Sequence, residues 1–335
     1  MKLGIWTPLP HTIRADAEFS AAIAGLDERG GPAVPDASFE YALDMLQKGE
    51  RGGFDISLVA ERYLGPDLES WILATALAAR TSKIVTMPAI HPGIINPQVV
   101  AKMGATMDRI SGGRFALNIV NGWWEEEFAL YGNGSWLESG DARYRRMDEF
   151  IQVVQGLWTG KPFTFEGEFF NCKEGLLPTQ TIQTPPPLYA ASRSEKGCDI
   201  IARTCHCWFA AYEPGYRNFE ANLRMLERSI AEMKERARSY GRDIQIALNP
   251  NFILANTEAE ANARADEIEE YGKSGQVNWI FASALGAGLV GTAELVAERI
   301  KAFEEIGVDL LMLRSYPMNE GIDRFIADVI PRIRD

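Results

Sequence analysis

The stretch "ATMDRISGGRFALNIVNGWW", Ala105 to Trp124, decides the fold. It reads as the end of a helix, a Gly-Gly turn, and a short apolar strand, Arg114 to Val120, that passes into Asn121-Gly122 and two tryptophans. A strand that only filled a core would not carry the amide of Asn118 and then end on a glycine and two indoles. The stretch therefore predicts a buried strand whose carboxyl end is a functional edge.

The same alternation of helix and strand continues along the rest of the chain. Eight apolar or β-branched runs predict strands: Leu3–Thr7, Phe54–Ala60, Ile84–Pro88, Arg114–Val120, Pro187–Ala190, Cys207–Ala210, Ile244–Leu254 and Val308–Arg314. Helical stretches lie between them, and Ser38, Asp67, Thr257 and Thr292 are predicted helix caps. Eight strands alternating with helices predict an α/β fold, a (β/α)8 TIM-type barrel, as one domain over residues 1–335.

In such a barrel the active site lies at the carboxyl ends of the strands, so irregular segments at that face are functional candidates. Four segments are predicted as insertions there: Pro8–Pro35, Gly132–Asp141, Gly160–Thr184 and Lys273–Gly291. The third contains four phenylalanines and predicts a small hairpin. A cap over the barrel rim is favoured for it over a substrate lid.

Composition limits the partners and the compartment. The 335 residues are 46% hydrophobic with a net charge of −12, which argues against binding to a phosphate backbone. No apolar run approaches the roughly 18 residues of a membrane helix, and the chain starts directly as a strand, so we predict a cytoplasmic protein that binds neither nucleic acid nor membrane. The spacing in Cys205-His206-Cys207 does not suit zinc, which favours buried thiols and no metal site.

Two segments are candidate phosphate sites. Asp141 to Arg146 opens a helix with a tyrosine and arginines. Ala190 to Gly197 follows a strand, holds Ser192, Arg193 and Ser194, and leads into another helix. No Walker or Rossmann pattern is present, which favours a mononucleotide over ATP or NAD. With three histidines in the chain, the difficult chemistry is assigned to a cofactor.

Three long motifs resemble the bacterial-luciferase-like flavin monooxygenases. They are "NPQVVAKMGATMDRISGGRFALNIVNGW" (Asn96 to Trp123), "RYRRMDEFIQVVQGLWTGKPFTFEGEFF" (Arg143 to Phe170) and "LVGTAELVAERIKAFEEIGVDLLML" (Leu289 to Leu313). Within that family the chain is most similar to the two-component branch that uses reduced FMN, which includes alkanesulfonate, dimethyl sulfone and pyrimidine monooxygenases. The resemblance implies reduced FMN from a separate NAD(P)H:flavin reductase, O2 as cosubstrate, and a homodimer or homotetramer.

The resemblance also implies site residues. Asn118 matches the amide that faces the flavin ring, with Trp123 as a wall of the pocket, and Tyr316 and Arg314 complete the catalytic set. The predicted FMN contacts are Glu61, Arg62, Glu127, Arg143, Tyr144, Ser192 and Ser194. The predicted substrate contacts are His11, Arg14, Trp208 and Asn249.

The substrate is predicted to be a small organosulfur compound. Alkanesulfonate enzymes carry an arginine and a histidine on the seventh strand where this chain has Asn249 and Asn251, and Asn249 agrees with the sulfone-type pattern. A sulfonate, which would be cleaved to sulfite and an aldehyde, and a sulfone are both retained. The alternatives are a nitrogen heterocycle such as a pyrimidine, an F420-dependent oxidoreductase, or a non-catalytic flavin-binding protein.

Overall fold

The computed structural model describes residues 1–10, 36–65, 67–122, 124–132, 135–274 and 282–334. Its strands are β1 (Lys2–Trp6), β2 (Ile56–Val59), β3 (Val85–Ile90), β4 (Leu117–Ile119), β5 (Phe163–Glu166), β6 (Asn171–Gly175), β7 (Leu188–Ala191), β8 (Cys207–Phe209), β9 (Gln245–Leu248), β10 (Asn251–Leu254), β11 (Leu289–Gly291) and β12 (Leu310–Ser315). Its α-helices are α1 (Ala37–Gly52), α2 (Ser70–Ala79), α3 (Pro97–Ser111), α4 (Glu125–Tyr131), α5 (Gly140–Trp158), α6 (Glu195–Thr204), α7 (Phe219–Ser239), α8 (Glu258–Ser274), α9 (Ala293–Glu305), α10 (Met318–Arg324) and α11 (Ile330–Arg334).

Eight parallel strands close into a barrel, as predicted. The order is β1-β2-β3-β4-β7-β8-β9-β12, and β12 returns to pair with β1. All eight predicted strands are present within a few residues of their predicted bounds. The prediction of a (β/α)8 TIM-type barrel is therefore confirmed.

The seventh predicted strand differs in one respect, because Ile244–Leu254 is divided into β9 and β10 at Asn249 and Pro250. Proline has no N–H to donate to the ladder, so the strand is interrupted there. β12 pairs with both halves, and β10 continues outward to pair with β11, a strand that the sequence analysis did not predict. This places β11 beside β10, the half of the strand that lies toward the carboxyl face of the barrel.

The hairpin of β5 and β6 was predicted in Gly160–Thr184, but its predicted position over the barrel rim was wrong. It packs on the outer helices, because the segment follows a helix and not a strand. The Glu149 carboxylate in α5 accepts hydrogen bonds from the turn amides of Glu168 and Phe169 at 2.8 Å each, and Gln98 in α3 donates to the Asn171 carbonyl at 2.7 Å.

Two predicted helix caps were also misplaced. The cap of α1 is Asp36, whose carboxylate accepts from the Ser38 amide, and the cap of α2 is Glu69. Asp36 lies two residues before the predicted cap Ser38, and Glu69 lies two residues after the predicted cap Asp67. At these positions the carboxylate oxygens reach the first free amides of each helix. Thr257 and Thr292 accept first-turn amides, as predicted. Among the described residues, none of the helices is long and apolar enough to span a bilayer.

Candidate active site

The inward faces of the barrel strands form the site. Side chains alternate along each strand, so Gly4 and Trp6 of β1 or Met87 and Ala89 of β3 point into the lumen. Asn118 belongs to the same inward set in β4. It lies in register between Ala89 and Tyr189 of the adjacent strands and is 8% exposed.

The Asn118 amide has no hydrogen-bond partner among the residues that the structure describes. No side chain of a neighbouring strand in the described ranges therefore satisfies this amide. Its position toward the carboxyl end of the lumen makes a ligand the natural partner.

Four further buried polar atoms at the carboxyl ends of strands lack a partner within the described ranges. They are Nε1 of Trp6 at the end of β1, Nδ1 of His91 after β3, Oδ1 of Asn121 after β4 and Oδ1 of Asn249 after β9. Buried polar groups in proteins are nearly always paired. His91 Nδ1 faces the Glu127 carboxylate at 3.7 Å, and the atoms left open on the other three strands indicate a polar ligand that binds there.

A hydroxyl cluster forms between α5 and α6, where the two predicted phosphate segments meet. The Tyr144 hydroxyl lies 2.8 Å from Ser192 Oγ, which is 3.2 Å from Ser194 Oγ. Ser194 is the N-cap of α6 and accepts from the Gly197 amide at 3.1 Å. Hydroxyls at a helix N-terminus favour an anion. The structure thus brings Tyr144, Ser192 and Ser194 together, as the sequence analysis predicts.

Gly197 has no side chain, which lets Ser192 and Tyr144 pack directly against the first turn of α6. A Cβ at that position would lie 2.1 Å from Ser192 Oγ and 2.5 Å from a ring carbon of Tyr144. No side chain can occupy that space without displacing the hydroxyls. A mononucleotide phosphate fits this cradle in both chemistry and position.

Arg143 lies beside the cradle but is directed elsewhere. Its guanidinium donates to the carbonyls of Leu137 and Glu138 and stacks over the Trp136 ring at 4.4 Å. Leu137 and Glu138 belong to the loop after α4. In this geometry the Arg143 guanidinium is engaged by the two loop carbonyls and by the Trp136 ring.

A buried charged cluster occupies the other side of the mouth. Arg62 Nε lies 3.2 Å from Glu127 Oε1, and its guanidinium stacks over Trp124 at 3.3 Å. His91 Nδ1 lies 3.7 Å from the second Glu127 oxygen. The predicted flavin-side carboxylate of Glu127 is therefore engaged by Arg62, and His91 is a neighbour that the sequence analysis did not single out.

Glu61 is held by backbone amides at the end of β2. Its carboxylate accepts from the Ser70 amide at 3.0 Å and the Arg62 amide at 2.9 Å. Burial raises the pKa of Glu61 to about 7, although these hydrogen bonds act in the opposite direction. The group sits at the first turn of α2, where it fixes the loop that carries Arg62.

Arg314 projects inward from β12 and is 3% exposed. Its Nε donates to Asn251 Oδ1 at 2.9 Å, and its guanidinium lies 4.2 Å from the centroid of a Trp6 ring. Burial lowers the pKa of Arg314 to about 10, so it stays protonated at neutral pH. Tyr316 follows directly after β12 and packs against the apolar cluster around Ile253.

A cavity of 810 Å³ opens at the β7, β8 and β9 side of the mouth. It is lined by Phe209, Tyr212, Asn249 and Ala284, among others. This volume suits a small molecule or part of a larger ligand. Asn249, a predicted substrate contact, is one of the residues that line this cavity.

Trp208 does not line this cavity. Its neighbours Cys207 and Phe209 point into the lumen, so alternation directs Trp208 outward, and its indole donates to the Ser192 carbonyl at 3.1 Å. We therefore withdraw it as a substrate contact and assign it to supporting the hydroxyl cluster. The predicted residues Trp123, His11 and Arg14 lie outside the described residues.

The predicted burial of Cys205 and Cys207 is confirmed. Between them, His206 Nδ1 accepts a hydrogen bond from the Leu188 amide at 3.1 Å, which is a structural contact at the opposite end of the barrel. No group of three or more potential metal ligands is formed within the described ranges.

Comparison with known proteins gives matches over most of the chain. Residues 1–310 match the family model described as "Luciferase-like monooxygenase". The chain is 30% identical over 330 residues to the "FMNH(2)-dependent dimethylsulfone monooxygenase" of Pseudomonas putida, covering 88% of each chain. Two solved structures share the fold. EDTA monooxygenase from Chelativorans sp. BNC1 has a TM-score of 0.78 at 20% identity, covering 100% of this chain and 93% of that one.

DmoA from Hyphomicrobium sulfonivorans has a TM-score of 0.73 at 18% identity, covering 91% of this chain and 84% of that one. At these identities the two structures establish the likeness of fold. The family match extends over most of the chain and includes every barrel strand up to the first residue of β12. The chain belongs to the luciferase-like monooxygenase family.

Proposed function

We propose that this protein is a reduced-FMN-dependent monooxygenase that oxidatively cleaves a small organosulfur compound, with dimethyl sulfone as the first candidate. Reduced flavin would come from a separate NAD(P)H:flavin reductase, and O2 would be the cosubstrate. The observation that carries the proposal is the set of open polar atoms at the ends of β1, β4 and β9, together with the Tyr144–Ser192–Ser194 cradle. The name of the Pseudomonas putida relative supports the choice of cofactor and substrate class.

The residues fit FMN in two parts. Tyr144, Ser192 and Ser194 would hold the phosphate at the N-terminus of α6. Asn118 would face the polar edge of the ring, because its free amide projects into the lumen. The cofactor supplies the electrons that activate O2. The protein supplies orientation, a water-excluding lumen and the hydrogen-bond donors that support developing charge.

The arginines near the mouth are already engaged, which favours a neutral substrate, and Arg314 in the lumen is held by Asn251 and the Trp6 ring. Arg62 is paired with Glu127, and Arg193 lies 3.1 Å from Glu213. Glu269 lines the 810 Å³ cavity with Lys273, so the two charges offset each other. A sulfonate would need a dedicated cation, preferably a bidentate arginine. A sulfone carries no charge and only needs donors for its two oxygens, such as the Asn249 amide.

Oxidation of a sulfone can be written so that its atoms balance. Dimethyl sulfone, O2 and FMNH2 give hydroxymethyl methyl sulfone, water and FMN, with one oxygen atom inserted into a C–H bond. The hydroxyl proton then leaves, the C–S bond breaks toward sulfur, and formaldehyde and methanesulfinate are released. Asn118 and Arg314, which both project into the lumen, are the proposed groups that stabilise charge during this step.

The proposal is tested with the purified protein, a flavin reductase, NADH, FMN and air. Dimethyl sulfone, methanesulfonate and uracil are supplied separately, with a parallel set in which reduced F420 replaces reduced FMN, and formaldehyde, sulfite and uracil consumption are measured. We expect formaldehyde from dimethyl sulfone at the highest rate. Sulfite from methanesulfonate alone, uracil consumption alone, or turnover only with reduced F420 would overturn the assignment in favour of one of the alternatives.

We also propose a homo-oligomer, which an exposed apolar face on α2 and α3 supports. Ile72 is 72% exposed in a helix that carries no charged residue, and Val99 and Ile110 are about half-exposed on the adjacent helix. A helix that is apolar on every side is normally covered. Exposed apolar surface often marks a protein interface where it is contiguous.

Ile72→Lys is expected to shift the protein toward monomers, because a charge would be buried in the interface. Sedimentation velocity measures the change. Leu176→Lys, at a residue 56% exposed on the outer hairpin, is the matched control and should leave the oligomer intact. An oligomer unchanged by Ile72→Lys, or a monomeric wild type, would contradict this interface.

A further inference from the structure

His91 occupies the mouth of the lumen although the reaction outlined above gives it no role. It is the first residue after β3, and it continues the inward set of Met87 and Ala89. The Val120 amide donates to the Ile90 carbonyl at 2.9 Å, so His91 stands one step beyond Asn118 toward the open end. Its side chain is therefore directed toward the space that a bound ring would occupy.

The imidazole is held from several sides. Phe128 lies parallel to it with ring centroids 6.2 Å apart, and Tyr63 meets it edge-on at 5.7 Å. Nδ1 is buried and faces Glu127 Oε2 at 3.7 Å, while Arg62 engages the other carboxylate oxygen. This packing places Nδ1 toward the carboxylate and directs Nε2 away from it.

The ring is neutral at physiological pH. Burial and the positive charge of Arg62 lower the pKa of His91 to about 4. A neutral imidazole carries one proton, and an ionised carboxylate can only accept a hydrogen bond. The proton is therefore expected on Nδ1, toward Glu127, which leaves Nε2 as an acceptor.

We propose that His91 Nε2 accepts a hydrogen bond from an N–H that the flavin ring gains on reduction, with Glu127 as the positioning residue that selects the tautomer. This rests on the proposed function. Dimethyl sulfone has neither N–H nor O–H and cannot be the donor. The reduced isoalloxazine ring has N–H groups that the oxidised ring lacks, so this contact favours the reduced cofactor over the oxidised one.

The first test is the ratio of the dissociation constants for oxidised and reduced FMN, measured anaerobically for the reduced form. His91→Leu should lower that ratio about threefold to tenfold, which is the effect of losing one hydrogen bond in one of the two states. His91→Gln, whose side-chain oxygen can replace Nε2, should keep more of the ratio than His91→Asn. A general folding defect would weaken both affinities and leave the ratio unchanged.

The second test reads the tautomer directly by NMR of protein labelled with ¹⁵N-histidine. His206 provides an internal reference, because its Nδ1 accepts from the Leu188 amide and must be unprotonated in the neutral ring. His91 should show the opposite tautomer, with the proton on Nδ1. Glu127→Gln should weaken this preference, and reduced FMN should shift the Nε2 resonance of His91 and not that of His206.

These results separate the two proposals. Failure to bind reduced FMN at all would overturn the proposed function and this contact with it. Binding of reduced FMN with an unchanged ratio in His91→Leu would overturn only the contact. A His91 proton on Nε2 in the free protein, or an Nε2 resonance that saturating reduced FMN does not move, would overturn it independently.

Discussion

Asn118→Leu is expected to fold normally and to lose product formation about 100-fold to 1,000-fold, with hydrogen peroxide released in place of product. Asn118 is inward-facing, 8% exposed and without a partner in the described part of the lumen, so its amide contributes little to the fold. Leucine has a similar volume and removes only the hydrogen-bonding groups. Formaldehyde and peroxide yields from dimethyl sulfone measure the effect.

The matched variant is Asn118→Gln, which keeps an amide at the cost of a longer side chain. It should retain more product than Asn118→Leu, and both should show thermal unfolding close to that of the wild type. If Asn118→Leu gave wild-type formaldehyde and no excess peroxide, the residue would be structural. The assignment of β4 to the reacting part of the flavin would then fall.

Gly197→Ala is expected to weaken FMN binding about tenfold to 100-fold. The new Cβ would lie 2.1 Å from Ser192 Oγ, so the hydroxyl must move away from Tyr144 and from the Ser194 amide, which it contacts at 2.8 and 3.1 Å. The Ser192 backbone is held by the Trp208 indole and cannot easily follow. Loss of one or two hydrogen bonds to an anion accounts for this magnitude.

Gly140→Ala is the control for this variant. Gly140 begins α5 in the same way that Gly197 lies in the first turn of α6, but the nearest atom to its added Cβ is an Arg143 nitrogen at 3.8 Å. FMN affinity measured by flavin fluorescence should be unchanged. Equal affinities for wild type and Gly197→Ala would show that the phosphate binds elsewhere.

The barrel could be predicted because its strands are recorded in short-range patterns. The strand runs alternate with stretches that have the helical period, and each pattern is a local property of the sequence. The division of β9 from β10 depends on Pro250, which is visible in the sequence, but the pairing of β10 with β11 is a tertiary contact. The position of the hairpin was mistaken because a helix, not a strand, precedes it.

The candidate site was only partly predictable, for a related reason. Tyr144 and Ser192 are 48 residues apart, and both lie in helix-start patterns that sequence reasoning can find. Trp208 and His91 depended on the alternation of their strands. Along β3, His91 lies two residues after the inward Ala89 and therefore points inside. Along β8, Trp208 lies between the inward residues Cys207 and Phe209 and therefore points outside. The engagement of Arg143 with the loop after α4 has no local signal.

The most direct measurement is a single turnover with stoichiometric reduced FMN, dimethyl sulfone and ¹⁸O2. Formaldehyde is trapped, before its oxygen exchanges with water, as an adduct that retains this oxygen. The adduct and methanesulfinate are analysed by mass spectrometry. We expect one equivalent each of formaldehyde and methanesulfinate. The oxygen of the trapped formaldehyde should be ¹⁸O, and the sulfinate should contain no ¹⁸O. Complete oxidation of the flavin with peroxide as the only product, and dimethyl sulfone recovered intact, would contradict it.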